Sequence, residues 1–268
     1  MPYPDFLCIG AQKAGTTWLQ SMLEQRPDIF MGPFKEYQYF NSLFVPRHRA
    51  WTAWHVANSV KNALRSHVSN GGFDVNYIKR LVSIADKEFM FTEEWYQYIF
   101  NGPGALNKLR GDVTPEYSTL PLSGVRYVKD KIPNAKVIYI IRDPVDRAKS
   151  QIRMNVERGQ VVDGDYINWD VLNRGDYKSY ICRWDQVFGD QVMYIPYRHL
   201  SQRPMAVLRE IENHLDLPFF EYKNSESRVH VSKASSIPDD VSNDLQDRLS
   251  EQYTFLRSRF GEEFVENI

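Results

Sequence analysis

Uninterrupted apolar runs alternate along this chain with segments of helical periodicity. Phe6-Leu7-Cys8-Ile9 is a short continuous apolar run closed by Gly10, the form of a strand buried on both faces. After the loop Ala11 to Gly15, apolar Trp18, Leu19, Met22 and Leu23 recur at helical spacing. That predicts a helix over Thr17 to Gln25, stopped by Pro27. Val137 to Ile141 is the strongest strand pattern, β-branched or aromatic throughout with no turn former. Arg142-Asp143-Pro144 then marks a turn and a proline-first helix start, with the helix running to about Arg158. Gln191 to Pro196 predicts a third strand, and Pro204 to Leu215 a helix that ends before Pro218. Strands alternating with helices predict βαβ units, hence an α/β fold with a central parallel sheet covered by helices on both faces.

Residues 45–105 are less regular. They hold Trp51, Trp54, Trp95 and many tyrosines, and read as helices and loops capping the sheet. Those rings either pack the cap or line an acceptor pocket. No repeat or linker-like tract divides the chain, so residues 1–268 read as one domain.

Composition narrows the function classes. At 43% hydrophobic residues the chain can bury a sizeable core, and with Cys8 and Cys182 as its only cysteines it is no disulfide scaffold. A formal net charge of −1 excludes a general nucleic-acid or polybasic membrane binder. No targeting segment and no membrane-length apolar stretch is visible, so the expected location is cytoplasmic; a domain cut from a larger protein would read the same way.

The charge is unevenly spread. Residues 136–158 carry six basic and three acidic side chains, a surplus of +3, whereas residues 239–266 carry three basic and eight acidic, a deficit of −5. An acidic C-terminal helix therefore offsets a focused anion site, leaving room for one small, highly charged ligand.

The loop Gly10-Ala-Gln-Lys13-Ala14-Gly15-Thr16-Thr17 joins the first strand to the first helix. Glycines let its amides turn inward, the helix N-terminus adds a positive dipole end, and Lys13 with the Thr16 and Thr17 hydroxyls can address an anion. The spacing matches the first half of a nucleoside-triphosphate loop, G-x-x-x-x-G, but Thr16 stands where the lysine that grips the β- and γ-phosphates belongs. The second half of the constellation is Arg142-Asp-Pro-Val-Asp-Arg-Ala-Lys-Ser150. An arginine leaving a parallel strand lies at the ligand edge of such a sheet, and its fork suits a terminal phosphate. Arg142 and Ser150 can share one anion only if the turn is tight. The alternative is an arginine that caps a helix or pairs with Asp143 or Asp146.

Lys13 to Trp18 (KAGTTW) and Arg142 to Ser150 (RDPVDRAKS) resemble the two donor signatures of sulfotransferases that use 3′-phosphoadenosine 5′-phosphosulfate. Met193 to Leu217, a strand followed by a helix, resembles that family's C-terminal half, so the likeness runs from Asp5 to about Lys233. It implies a P-loop-NTPase-like fold and sulfonate transfer without a metal, leaving adenosine 3′,5′-bisphosphate as product. By matching position, Lys13, Ala14, Gly15, Thr16 and Thr17 would hold the 5′-phosphosulfate, Arg142 and Ser150 the 3′-phosphate, and Trp18 would pack on the adenine. Ser232 and Lys233, in a late basic segment, would close over the 3′-phosphate, although the family's Arg-Lys-Gly form is missing there. The acceptor would be a hydroxyl of a small molecule or a sugar.

The resemblance also proposes who moves the proton. Lys13 is the natural cation for the departing phosphate oxygen, with Lys35 second. Phe34-Lys35-Glu36-Tyr37-Gln38-Tyr39-Phe40 resembles the K-E-x-x-x-F segment of glycosaminoglycan-type sulfotransferases, which makes Glu36 the first choice of base. Gly111-Asp112-Val113-Thr114-Pro115-Glu116-Tyr117 is similar to the family's G-E-K-T-P-x-Y strand; Asp112 matches its acidic position, and Val113 replaces its lysine. His55 and His67 in the cap are further candidates. Two other classes compete: a P-loop kinase, which would need the absent lysine and a magnesium carboxylate, and a non-catalytic nucleotide-binding module, in which Lys13 and Glu36 would be dispensable.

Overall fold

The computed structural model describes residues 2–161, 164–227 and 237–268. Ser232 and Lys233 lie outside the described residues. Strand β1 (Phe6–Gly10) leads into helix α1 (Thr16–Leu23), and strand β2 (Ile29–Phe30) follows. The cap comprises α2 (Tyr39–Phe44), α3 (Arg49–Ser69), α4 (Val75–Ile84) and α5 (Glu93–Phe100). Strand β3 (Leu109–Val113), α6 (Leu122–Lys131), β4 (Lys136–Ile141) and α7 (Pro144–Glu157) come next. The rest is α8 (Trp169–Asn173), α9 (Tyr177–Phe188), β5 (Val192–Pro196), α10 (His199–Gln202), α11 (Pro204–His214), α12 (Asp239–Phe260) and α13 (Glu262–Glu266).

All strand pairings are parallel, in the order β2-β3-β1-β4-β5. The expected α/β architecture is therefore present, with helices flanking the sheet. Phe6 to Ile9 and Val137 to Ile141 are entirely enclosed, which is why both read as unbroken apolar runs. The chain leaves β1 toward β2 and β3 on one side, while β4 and β5 lie on the other. A crevice therefore opens beyond the C-terminal ends of β1 and β4, where this topology places ligands.

Helix α1 ends at Leu23 rather than Gln25. The chain turns there so that Arg26 can enter the interior, where its guanidinium meets Asp28 and Glu212 at 2.7 Å each. In the cap, Trp95 is fully buried and its indole donates to the Ile84 carbonyl at 2.8 Å, so this ring packs the core. Trp54 is exposed, and Trp51 is half-buried beside His48 and His55. The acidic α12 packs along α7 and α9, with Tyr253 donating to Asp143 at 2.8 Å and Arg259 to Asp185 at 3.0 Å. The negative surplus thus lies directly behind the basic α7.

Candidate active site

Gly15 ends the loop between β1 and α1 in the left-handed region, at φ 81°. A Cβ there would meet Leu200 at 2.7 Å and Tyr197 at 3.3 Å, so the position takes only glycine. Among the described residues no side chain caps α1, so its first-turn amides keep their hydrogen-bonding capacity. Ala14 is enclosed, and its N–H closes a turn on the Ala11 carbonyl at 3.1 Å. That contact shapes the loop.

The turn between β4 and α7 is short. Only Arg142 and Asp143 separate Ile141 from Pro144, and the Asp143 carboxylate caps α7 by accepting from the Asp146 N–H at 2.8 Å. Arg142 pairs with neither aspartate among the described residues. Its Nη1 donates to the Lys13 carbonyl at 2.7 Å, and its guanidinium lies 4.7 Å over the Tyr197 ring, while Nε is buried without a partner. Ser150 follows on α7, nearly buried.

Lys13 also has positive φ, at 68°. Its ammonium forms no ion pair among the described residues and reaches only the Met154 sulfur, at 3.8 Å. Burial, and then the neighbouring Arg158 and Arg142, hold it below the ordinary lysine value. Glu157 and Glu36 act the other way on Lys13 but more weakly, so Lys13, Arg142 and Arg158 form a net positive group suited to a compact polyanion. The fit favours an anion over a neutral ligand on two observations: the unpartnered Arg142 Nε and the uncapped α1.

The segment after β2 closes the other side. Lys35 Nζ donates to Thr16 Oγ1 at 3.0 Å, to Thr17 Oγ1 at 3.3 Å and to Glu36 Oε1 at 2.9 Å. Both threonine hydroxyls accept from Lys35, so their own protons point onward. Glu36 stands at φ 68° and Gln38 at φ 60°; strained backbone of this kind costs roughly 1–3 kcal/mol per residue and persists where surrounding contacts over-determine it. Here the contacts are polar. Glu36 Oε2 lies 3.9 Å from His55 Nε2, and the Gln38 amide donates to Glu116 at 2.9 Å. Burial pushes the Glu36 carboxyl up, but Lys35, His55 and Arg174 together push harder the other way. It therefore rests below the ordinary glutamate value, ionised and a quarter exposed.

Asp112 is not brought to this group. It is fully enclosed, and both oxygens are taken, by Thr114 and Tyr96 hydroxyls at 2.7 Å and by Tyr117 at 2.9 Å. Burial pushes its carboxyl up to about 6. Through these bonds the carboxylate ties α5 to the end of β3. His67 lies apart as well, its Nε2 accepting from the Asp74 N–H at 3.3 Å in the turn between α3 and α4. Trp18 is turned inward and donates to the Ser225 carbonyl at 2.8 Å, which leaves a narrow strip of ring for a purine to meet.

A buried ion pair escaped the sequence reading. Glu116 Oε1 meets Arg174 Nη1 at 3.1 Å, and the same carboxylate accepts from Gln12 in the loop at 3.4 Å and from Gln38. Glu116 was visible in the T-P-x-Y segment, but nothing in the sequence pointed to Arg174.

Known proteins share both the sequence pattern and the fold. A membrane-associated sulfotransferase, kil1, from Dictyostelium discoideum is 28% identical over 156 residues, 58% of this chain and 23% of that protein. The bifunctional heparan sulfate N-deacetylase/N-sulfotransferase 1 of Caenorhabditis briggsae is 24% identical over 248 residues, 82% of this chain and again 23% of that protein. The chain thus spans about a quarter of the length of these relatives. A sulfotransferase structure from Alicyclobacillus acidocaldarius superposes with a TM-score of 0.66 over 96% of both chains at 19% identity, a likeness of fold. Among the described residues no helix is long and apolar enough to cross a membrane. The family model described as "Sulfotransferase family" matches residues 4–221, a stretch that holds the loop, the Lys35-Glu36 segment and Arg142 alike, and the chain belongs to that family.

Proposed function

We propose that this chain transfers a sulfonate group from 3′-phosphoadenosine 5′-phosphosulfate to a hydroxyl acceptor. The observation that supports the reading is the Arg142–Lys13 contact: the guanidinium donates to the Lys13 carbonyl, which holds the strand-end arginine against the loop between β1 and α1. A donor with phosphate on both its 3′ and 5′ sides needs two such anchors. A triphosphate needs instead the lysine that Thr16 replaces.

When bound, the donor supplies a sulfonyl group on a phosphate leaving group. Lys13, the α1 amides and the Thr16 and Thr17 hydroxyls would bind the 5′ side; Arg142 and Ser150 would bind the 3′-phosphate. Glu36 Oε2, on the side away from Lys35, would take the acceptor's proton, since ionised Glu36 has a free lone pair and partial exposure. Lys35 and Lys13 would stabilise negative charge developing on the departing oxygen.

Calorimetry with adenosine 3′,5′-bisphosphate, set beside ATP with magnesium, tests the reading. Saturable binding of the bisphosphate and turnover of the labelled sulfonate donor are expected. Turnover of ATP without response to the sulfonate donor would assign the site to a kinase.

A further inference from the structure

A cleft of about 300 Å³ opens between α3 and α8, lined by Arg47, His48, Trp51, Asn168, Trp169 and Asp170. Its walls are two indoles and four polar side chains, with no aliphatic residue and no phenylalanine. Flat, wholly apolar ligands are enclosed by hydrocarbon walls. This lining instead suits a ligand with one apolar face and a hydroxyl-rich edge. The Arg47 guanidinium lies 4.3 Å from the centre of the Trp169 ring, and Trp169 is still 48% exposed.

Asn168 caps α8 by accepting from the Val171 N–H at 3.1 Å, and Asp170 faces Arg174 at 3.8 Å, so the unspent polar group of the lining is His48. The His48 ring is buried, and its Nδ1 lies 3.2 Å from the Asn41 amide nitrogen, which donates to it. Nε2 is then the protonated nitrogen, and among the described residues it is buried without a partner, as is Thr52 Oγ1 one helical turn on. Burial and Arg174 pull the His48 ring down to about 4, so it is a neutral donor at physiological pH. Unpaired buried donors of this kind are costly unless a ligand or water completes them.

Two lines of contact run from the cleft to the candidate base. Trp51 meets His55 edge-on, with centroids 6.0 Å apart, and His55 Nε2 lies 3.9 Å from Glu36. Asp170 lies 3.8 Å from Arg174, which helps to hold Glu36 ionised. We infer that this cleft is the acceptor subsite and that it takes a pyranose ring, with its CH face on the Trp51 and Trp169 indoles and its hydroxyls on His48, Arg47 and Asp170. The inference rests on the transfer reaction proposed above, whose acceptor class it narrows.

The probes are methyl β-D-glucopyranoside, methyl N-acetyl-β-D-glucosaminide and 4-nitrophenol, each titrated onto the whole protein with saturation-transfer NMR as readout. Glycoside ring protons should receive saturation, and Trp51→Ala and Trp169→Ala should each weaken glycoside binding about tenfold or more. Trp54→Ala, at an exposed position on the same helix, should leave it unchanged. Trp169 lies at the surface, so its variant reports even if Trp51→Ala fails to fold. Absence of glycoside binding, binding indifferent to both tryptophans, or tryptophan-dependent binding of 4-nitrophenol alone overturns the proposal. Calorimetry with adenosine 3′,5′-bisphosphate on the same variants is the separate arm. Its failure with glycoside binding intact removes the donor reading and leaves the subsite; normal bisphosphate binding without glycoside binding does the reverse.

Discussion

Lys35 Nζ lies 3.0 Å from Thr16 Oγ1, and through this contact the segment that carries the candidate base is fastened to the anion loop. The same ammonium donates to Glu36, so one cation serves the loop hydroxyls and the carboxylate together. Lys35→Ala should therefore reduce turnover by about 10²–10³-fold, the usual cost of removing one electrostatic stabiliser. Glu36→Gln should reduce kcat by about 10²–10⁴-fold while leaving adenosine 3′,5′-bisphosphate affinity nearly unchanged. Equal losses of affinity and turnover in Glu36→Gln would place this carboxylate in donor binding instead.

The pH profile separates the two carboxylates. A base must be ionised, so activity falls as pH drops through its pKa. Glu36 is held below the ordinary glutamate value, and the acid limb of kcat/KM should lie correspondingly low. His55 is one of the groups that hold it there. His55→Ala removes that influence, so the limb should move to higher pH. A limb near pH 6 that is indifferent to His55 would point to Asp112, whose carboxyl rests at about 6.

Asp112→Ala should act on stability, leaving kcat of the folded protein near that of the parent. It strands the Tyr96, Tyr117 and Thr114 hydroxyls in the interior, a loss of about 3–5 kcal/mol. The Asp112 proton is held more tightly in the folded chain than in the unfolded one. Its contribution to stability is fully present below the ordinary aspartate value and is lost as pH rises through about 6. The melting temperature of the parent relative to Asp112→Asn should fall across that window.

Under the proposed function, Arg142→Ala would remove the anchor for the 3′-phosphate. By calorimetry, the preference for adenosine 3′,5′-bisphosphate over adenosine 5′-monophosphate should shrink about 10–100-fold, the range of a charge-assisted hydrogen-bonded pair. An unchanged preference would send the 3′-phosphate elsewhere.

The legible parts of this molecule were those written locally. Phe6 to Ile9 and Val137 to Ile141 read as strands because burial on both faces leaves no polar interruption, and the loops that follow them carry their chemistry in sequence order. Strand β2 is two residues long, too short for any periodicity, and it is fixed by pairing with Leu109 and Arg110. His55 sits on a helix of weak amphipathic pattern and gains its meaning only by meeting Glu36 across the fold. Asp112 shows the converse: the motif position was legible, but its three hydroxyl donors and complete enclosure were not.

The Glu116–Arg174 pair could not be read from the sequence and makes a sharp stability test. Its side chains are 4% and 9% exposed, and the residues are 58 positions apart. Removing one member leaves the other charge buried, so Arg174→Met should cost about 3–5 kcal/mol. For a domain of this size that is roughly 6–20 °C in melting temperature. Because Glu116 also accepts from Gln12 in the loop and from Gln38 beside Glu36, the loss should spread to bisphosphate affinity. Glu116→Gln combined with Arg174→Met removes both charges, and the double variant should be more stable than the sum of the singles implies. Additive singles in that cycle would show that the pair is uncoupled, and that the loop is held without it.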